Sequence, residues 1–368
     1  MMPRRVAAGA ILLLTACGHD VPFAPRDFGT SGPFSAVPPV RLTYSDGDDR
    51  TPAWLPDGAT VLYSSERLDL PDADRCLHFL PGGGGTITRQ VCARSVGQED
   101  STHRYEAPAV SADGRIAYLR AVSTIGLQKG PAMALMLGPL DDPTAADVVT
   151  PIPYFAPSGL THGNVSHLQW LGPTRLVYLG ENLFYEGSTF LPDTFTTGLE
   201  IMRGDLAGGA MTLSVVPGTE LASSVAAGGD EDTIVFTLGG DTRVFRRSLG
   251  TGEQTVLHDF GAAGIARDVQ LHGTTLVAIV GGSVLFQFED AHGWVQRDEG
   301  GELHIVNLAT GAAQVHAPAG TLFRRPALSP DGTRVVVEAS PFAPVHAGPD
   351  SDFNAPNHRP DLWLFDLQ

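Results

Sequence analysis

One pattern recurs at long intervals along the chain, and that recurrence narrows the folds open to it. Pro52-Ala53-Trp54-Leu55-Pro56-Asp57-Gly58 leads into Thr60-Val61-Leu62-Tyr63-Ser64. Pro108-Ala109-Val110-Ser111-Ala112-Asp113-Gly114 leads into Arg115-Ile116-Ala117-Tyr118, and Pro326-Ala327-Leu328-Ser329-Pro330-Asp331-Gly332 leads into Thr333-Arg334-Val335-Val336-Val337. Each copy reads as a strand, a tight turn and a second strand. Proline presets φ at the second turn position, aspartate bonds the local backbone, and glycine accepts positive φ. Weaker copies place further turns near Gly172, Gly229 and Gly273. Successive turn glycines lie 56, 58, 57, 44 and 59 residues apart, which suits four-stranded blades with insertions.

The Pro-Ala-x-Ser-Pro-Asp-Gly run followed by a β-rich strand resembles the repeat of TolB-type, WD-repeat-like propellers. The resemblance implies an all-β fold: a six-bladed β-propeller of four-stranded antiparallel blades over residues 40–368. TolB proteins carry an additional N-terminal α/β domain. No counterpart is read here, so the resemblance is confined to the propeller. Hairpin patterns in the second halves of the units agree, as in Leu303 to His316 around Ala309-Thr310-Gly311 and Val244 to Leu257 around Gly250-Thr251-Gly252.

The last unit ends on Leu362-Trp363-Leu364-Phe365-Asp366-Leu367 and lacks a fourth strand, while Val40-Arg41-Leu42-Thr43 is a strand without a unit. Pairing the two closes the ring and hides two open edges.

The turns between first and second strands are short. The connections between second and third strands are long: Leu68 to Arg75, Val122 to Pro131, Leu183 to Thr197, Glu289 to Gly301 and Pro341 to Pro360. Long loops on a rigid scaffold carry function. The expected binding face is therefore the loop face, with Phe184, Tyr185, Trp294, His346 and His358 as its candidate contacts. The competing reading is that such aromatics pack the loops onto the ring.

The N-terminal segment sets location. Arg4 and Arg5 precede a short apolar run from Val6 to Leu14, too brief to span a bilayer, and Leu14-Thr15-Ala16-Cys17 follows. This resembles a bacterial lipobox, which implies a signal peptide over residues 1–16 and a lipid on Cys17. An ordinary signal peptide with a chance cysteine is the alternative. Residues 17–39 are rich in Pro, Gly and Ser and read as a flexible tether reaching on the order of 70 Å when extended. Gly18 stands where an aspartate favours inner-membrane retention in enterobacterial lipoproteins, so the expected site is the outer membrane.

An exported chain meets an oxidising compartment, and Cys76 and Cys92 flank a hairpin pattern, so a disulfide between them is expected. Two free buried thiols are the alternative. Net charge is −17, and −19 without the leader, which disfavours nucleic acid as a partner. A monomer is expected.

Chemistry is harder to find. No Gly-x-Ser-x-Gly elbow or phosphate-binding glycine loop occurs. Asp350, Asp352 and Asn354 have the alternating oxygen ligands of a calcium loop, but Ala355 replaces the required glycine. Asp46-Gly47-Asp48-Asp49 reads as a solvated acidic loop. The leading expectation is a cell-envelope lipoprotein that binds a protein or glycan without catalysis and needs no cofactor, calcium excepted. The alternative is a metal-dependent lyase or hydrolase acting on carbohydrate at the central funnel.

Overall fold

The Asp-Gly turns form as the repeat requires. Gly58, Gly114 and Gly332 sit at φ of 62°, 82° and 69°, a region that costs a side chain with a Cβ. In the first turn Asp57 accepts from the amides of Ala59 and Thr60. In the other two a serine joins in: Ser111 and Ser329 donate to Asp113 and Asp331 at 2.6 and 2.5 Å and accept from the amides of Arg115 and Arg334.

The computed structural model describes residues 39–44, 47–66, 75–92, 103–124, 130–152, 161–188, 191–281, 285–290, 293–298, 300–319, 321–341 and 360–367. Residues 1–38, with Cys17 among them, lie outside them.

Strand β1 (Val40–Arg41) opens the described chain. Strands β2 (Asp49–Trp54), β3 (Thr60–Glu66), β4 (Arg75–Pro81) and β5 (Arg89–Val91) then run antiparallel in that order. Strands β6 (His103–Val110), β7 (Arg115–Thr124), β8 (Gly130–Pro139) and β9 (Asp147–Ile152) repeat the arrangement. A parallel bridge between Arg75 and Arg104 joins the two sets into one eight-stranded sheet.

Four separate four-stranded sheets follow. The first contains β10 (Thr161–Trp170), β11 (Arg175–Ser188), β12 (Leu191–Ala207) and β13 (Ala210–Val215). The second contains β14 (Ala222–Ala227), β15 (Thr233–Leu238), β16 (Arg243–Ser248) and β17 (Gln254–Asp259). The third begins with β18 (Ala266–His272) and β19 (Thr275–Val280), which are followed in the chain by a separate hairpin of β20 (Leu285–Asp290) and β21 (Gly293–Asp298). It is completed by β22 (Glu302–Asn307) and β23 (Ala313–His316).

The last sheet holds β24 (Thr321–Leu328), β25 (Arg334–Pro341), β26 (Asp361–Asp366) and, at its edge, β1. Val40 pairs with Leu364 and Arg41 with Trp363, and the Leu42 amide donates to Leu362 at 2.7 Å. The N-terminal strand therefore completes the last sheet, as expected from the missing fourth strand.

The first strands β2, β6, β10, β14, β18 and β24 touch in that order, and β24 returns to β2. The sheets thus close into a ring, an all-β propeller. Its core is a set of apolar wedges between neighbouring sheets, not one central body. Leu62, Leu77 and Phe79 meet Tyr105, Ile116 and Tyr118 in one wedge, and Val235 and Val244 meet Val269 and Leu276 in another.

Charged residues at a repeated position hold the wedges in register. Arg115, Arg175 and Arg334 each begin the second strand of a sheet. Each donates across the ring to a turn carbonyl of the next sheet: Pro173 at 3.0 Å, Glu231 at 2.7 Å and Gly58 at 2.6 Å. Trp54 works in the opposite direction. Its indole donates to the Ala327 carbonyl at 3.0 Å and lies under the Arg334 guanidinium. Trp54→Phe keeps the ring but deletes this buried bond. We expect it to lower stability by about 1 kcal/mol, read from the urea midpoint at unchanged slope.

Cys76 and Cys92 are joined in a disulfide with Cα atoms 4.4 Å apart. The bridge ties the segment beyond the short outer strand β5 back to the buried start of β4. Cys76→Ser with Cys92→Ser should cost about 3 kcal/mol in the chain-entropy estimate, measured as the difference in unfolding free energy from the oxidised protein.

Three loop expectations change, and in the first Val122 to Pro131 extends β7 and β8, pairing Ser123 with Pro131 and Thr124 with Gly130. Leu183 to Thr197 is not a loose insertion. It continues β11 and β12 as a ladder from Leu183–Thr197 to Ser188–Leu191. Part of the stretch from Glu289 to Gly301 belongs to the hairpin β20–β21. By contrast β15 and β16 are joined by a short turn at Gly239–Thr242.

Candidate functional site

Each of the six first strands that touch around the ring carries an irregularity in its pairing. Pairing slips between Arg50 and Ala53, Glu106 and Ala109, Ser166 and Gln169, Ala222 and Ser224, Ala266 and Val269, and Arg324 and Ala327. Such bulges re-aim side chains and gather beside functional sites. Four hold a residue other than glycine in the left-handed region: Thr51 at 51°, Ala107 at 47°, His167 at 54° and Arg325 at 47°. Each such conformation costs on the order of 1 kcal/mol and persists only where its surroundings enforce it.

These residues and their neighbours form a polar circuit around the axis. His167 Nε2 lies 2.7 Å from Asp268 Oδ1, although the β14–β17 sheet separates their own sheets in the ring. The Ser166 hydroxyl meets His167 Nδ1 at 2.9 Å. The other Asp268 oxygen accepts from the Arg325 amide at 2.8 Å. The Arg325 guanidinium contacts Glu338 Oε1 at 3.4 Å, and the same oxygen accepts from the Thr51 amide at 2.6 Å. Arg324 Nε lies 3.9 Å from the second Glu338 oxygen. Further round, Asp48 pairs with Arg50 at 2.5 Å and Arg75 at 3.4 Å, and Arg75 reaches Glu106 at 3.0 Å. Thr237 donates to the Arg267 carbonyl at 2.6 Å, which ties in the β14–β17 sheet.

This corrects the solvated-loop reading for Asp48 and Asp49, while Asp46 lies outside the described residues. Asp49 is fully buried and accepts from the Ser65 hydroxyl at 2.6 Å, while Asp48 is buried against two arginines. Arg50 and Arg75 pair with Asp48, and the Ser65 hydroxyl bonds Asp49, so both carboxylates are engaged where they are buried.

Burial alone would raise the Asp268 carboxyl, but the His167 hydrogen bond and charge, with Arg325, hold it down at about 2. Its folded value lies below its ordinary 3.8, so its stabilisation is complete above that value and is lost as pH falls toward 2. That term is on the order of 2 kcal/mol. Burial also pushes the His258 and His316 imidazoles below their ordinary value. Stability from them is lost as pH falls through about 6.5. Urea midpoints should therefore decline in two stages between pH 7 and pH 2.5. Asp268→Asn should reduce the lower one, to which Asp331 and other depressed carboxylates also contribute, and leave the upper one unchanged.

The sequence-derived contacts have mixed fates. The Phe184 and Tyr185 backbones pair with Thr196 and Phe195, and Trp294 pairs with Glu289. Their side chains are outside the described part, as are His346, His358 and the calcium-loop candidates Asp350, Asp352 and Asn354. Among the described residues no group of three His, Cys, Asp or Glu side chains is placed to hold a metal.

Sequence reading missed His167, Asp268 and Arg325. The signal was the column immediately before the repeat's proline. Aligning the copies puts Thr51, Ala107, His167, Asp268 and Arg325 ahead of Pro52, Pro108, Leu168, Val269 and Pro326.

No family model matches the chain, and no curated protein matches it by sequence. Solved structures do. TolB from Acinetobacter baumannii aligns at TM-score 0.50 and 14% identity over 84% of this chain and 64% of its own. This chain thus spans less than two thirds of that TolB. A gluconolactonase from Xanthomonas campestris aligns at TM-score 0.51 and 12% identity, over 87% of this chain and 86% of its own. A protein described as a putative TolB from Agrobacterium tumefaciens aligns at TM-score 0.45 and 12% identity, over 87% and 90%. At such identities the likeness concerns the fold: this is a TolB-like β-propeller.

Proposed function

We propose that the chain is a cell-envelope lipoprotein whose TolB-like propeller is a non-catalytic binding module. In this reading residues 1–16 are a cleaved leader, Cys17 carries lipid at the outer membrane, and residues 17–39 tether the ring. The ring has six blades. The eight-stranded sheet counts as two, because β4 and β6 share only the Arg75–Arg104 bridge and six first strands surround the axis.

The observation that carries the reading is the axial circuit, where strained bulge residues from several sheets converge beneath the loop face. A ring that only filled space would have no need for enforced left-handed residues in its first strands. The partner is a protein or glycan of the envelope. Affinity capture of the full chain from solubilised membranes tests this: one reproducible partner, lost with Arg325→Ala, supports the module. Equal recovery with both chains would remove the hub from the account. Cys17→Ser should release the protein from membranes or stall its processing; unchanged membrane association would overturn the anchor.

A second reading is an enzyme, favoured by the gluconolactonase likeness at TM-score 0.51. Lactone hydrolysis by the wild-type chain, abolished in Asp268→Asn, would support it over the binding module.

A further inference from the structure

We infer that the loop face docks an extended, basic segment of a partner protein at Leu221, with Glu200 and Glu220 answering its positive charges. This rests on the reading of the ring as a binding module and narrows the partner to a protein.

The turn that holds Leu221 suits a glycine. The Ala222 amide donates to the Thr219 carbonyl at 3.1 Å, which closes a four-residue turn with Leu221 third and at a φ of 67°. Glycine or asparagine fills such a position without strain, and leucine does not. The frame of the turn is fixed. Thr219 is fully buried, and its hydroxyl donates to the Val216 carbonyl at 2.7 Å and accepts from the Ile201 amide at 3.1 Å. The Leu221 carbonyl accepts from the Gly239 amide at 2.8 Å. The leucine side chain returns little to the ring. It is 63% exposed, more than any other large apolar side chain among the described residues. Val256 and Val315 are exposed too, but they lie on the outer strands β17 and β23 at ordinary φ. Strain and exposure combined at one apolar residue cost the fold stability, and a docked apolar side chain offsets that cost.

The surroundings name the partner. Glu220 is exposed beside Leu221. Burial, and after it the charge of Glu220, pushes the Glu200 carboxyl above its ordinary range. Neither acid is in an ion pair among the described residues. A lysine or arginine brought there relieves the repulsion, and an anionic partner would add to it. The neighbouring sheet supplies the extended geometry. Strand β13 covers β12 only from Met202 to Ala207. From Leu191 to Glu200 the edge of β12 facing away from β11 pairs with no strand among the described residues. The turn abuts that edge where it opens, through the Thr219 hydroxyl and the Ile201 amide. An added peptide strand bonds such an edge through its main chain, which a glycan cannot do.

The test probes the full chain in detergent against immobilised short peptides. One set carries lysine and leucine in a serine background, a second lysine alone, a third leucine alone and a fourth glutamate with leucine. The lysine–leucine set should bind roughly tenfold more than the other three. Leu221→Gly should remove that preference, and so should Glu200→Gln combined with Glu220→Gln. Leu221→Gly should also unfold at a higher urea midpoint than Leu221→Ala, because both delete the side chain and only glycine suits the φ. Equal binding of the lysine-only peptides overturns the inference, as does undiminished binding by Leu221→Gly or a higher midpoint for Leu221→Ala. The double glutamine variant leaves the turn intact and decides the matter if neither Leu221 variant folds. A membrane partner captured equally by wild type and Leu221→Gly would sink this inference and leave the binding module. Peptide binding at Leu221 with no partner captured from membranes would sink the module and leave the site.

Discussion

A chain ending at Pro360 should show no cooperative unfolding transition. Strand β26 is the third strand of the last sheet, and among the described residues it is also the only strand that pairs with β1. Its removal deletes Leu362, Leu364 and Phe365, all buried, uncovers the apolar side chains they pack on, and strips β1 of its ladder. Three large apolar side chains are worth about 5–9 kcal/mol together. A domain typically has about 5–15 kcal/mol in all. The ion pair between Arg41 and Asp361 at 2.6 Å goes as well, as does the Thr43 hydroxyl's bond from the Leu362 amide at 2.9 Å. The loss is not local, because Phe365 packs on Phe323 and Val335 in one wedge while Leu362 and Leu364 pack on Trp54 and Val61 in the next. Circular dichroism through a urea titration reads the outcome. A truncated chain with a native-like transition would show that the ring does not depend on this closure. Leu362→Ala is the graded version, and should cost about 2–5 kcal/mol.

Glu338→Ala should destabilise the protein by about 3–5 kcal/mol, more than any single contact at the hub suggests. Glu338 is fully buried, and its removal leaves the Thr51 amide, Arg324 and Arg325 without their shared carboxylate. The Thr51 amide belongs to a residue held at a φ of 51°, so the loss also frees a strained backbone that this bond helps to hold. Glu338→Gln keeps an acceptor for that amide and should cost roughly half as much or less. Unfolding free energies of the two variants separate charge from hydrogen bonding. Equal costs would mean that the charge is what matters, and a negligible cost for Glu338→Ala would mean that the circuit does not stabilise the ring.

Much of the ring was legible because turn chemistry is local. Asp57 and Asp331 accept from backbone amides within a few residues, Asp113 accepts from the Ser111 hydroxyl two residues before it, and the glycines after them need only their own φ. The closing pair could be read because an unpaired strand at each end is a deficit with one remedy, and the cysteine bridge because a hairpin brings Cys76 and Cys92 together.

The hub was not legible in the same way. His167 and Asp268 lie 101 residues apart and meet only because the ring returns both first strands to the axis. No spacing rule links them. The acidic residues 48 and 49 misled for a related reason, since the arginine and hydroxyl that bury them come from other strands. The long β11–β12 arm failed differently: its segment mixes Pro, Asp, Thr and aromatic residues, a composition typical of loops, yet it pairs as strands.

The central claim, that the loop face binds a partner, is tested most directly by photo-cross-linking in intact membranes. Leu221 is 63% exposed where the chain enters β14, and its carbonyl meets the β15–β16 turn, so a photoreactive side chain there samples the loop face. Val256, 50% exposed on the outermost strand β17, samples the rim. The account predicts one discrete adduct from position 221 that weakens with Arg325→Ala, and none from position 256. Adducts of equal yield from both positions, or from position 256 alone, would contradict it.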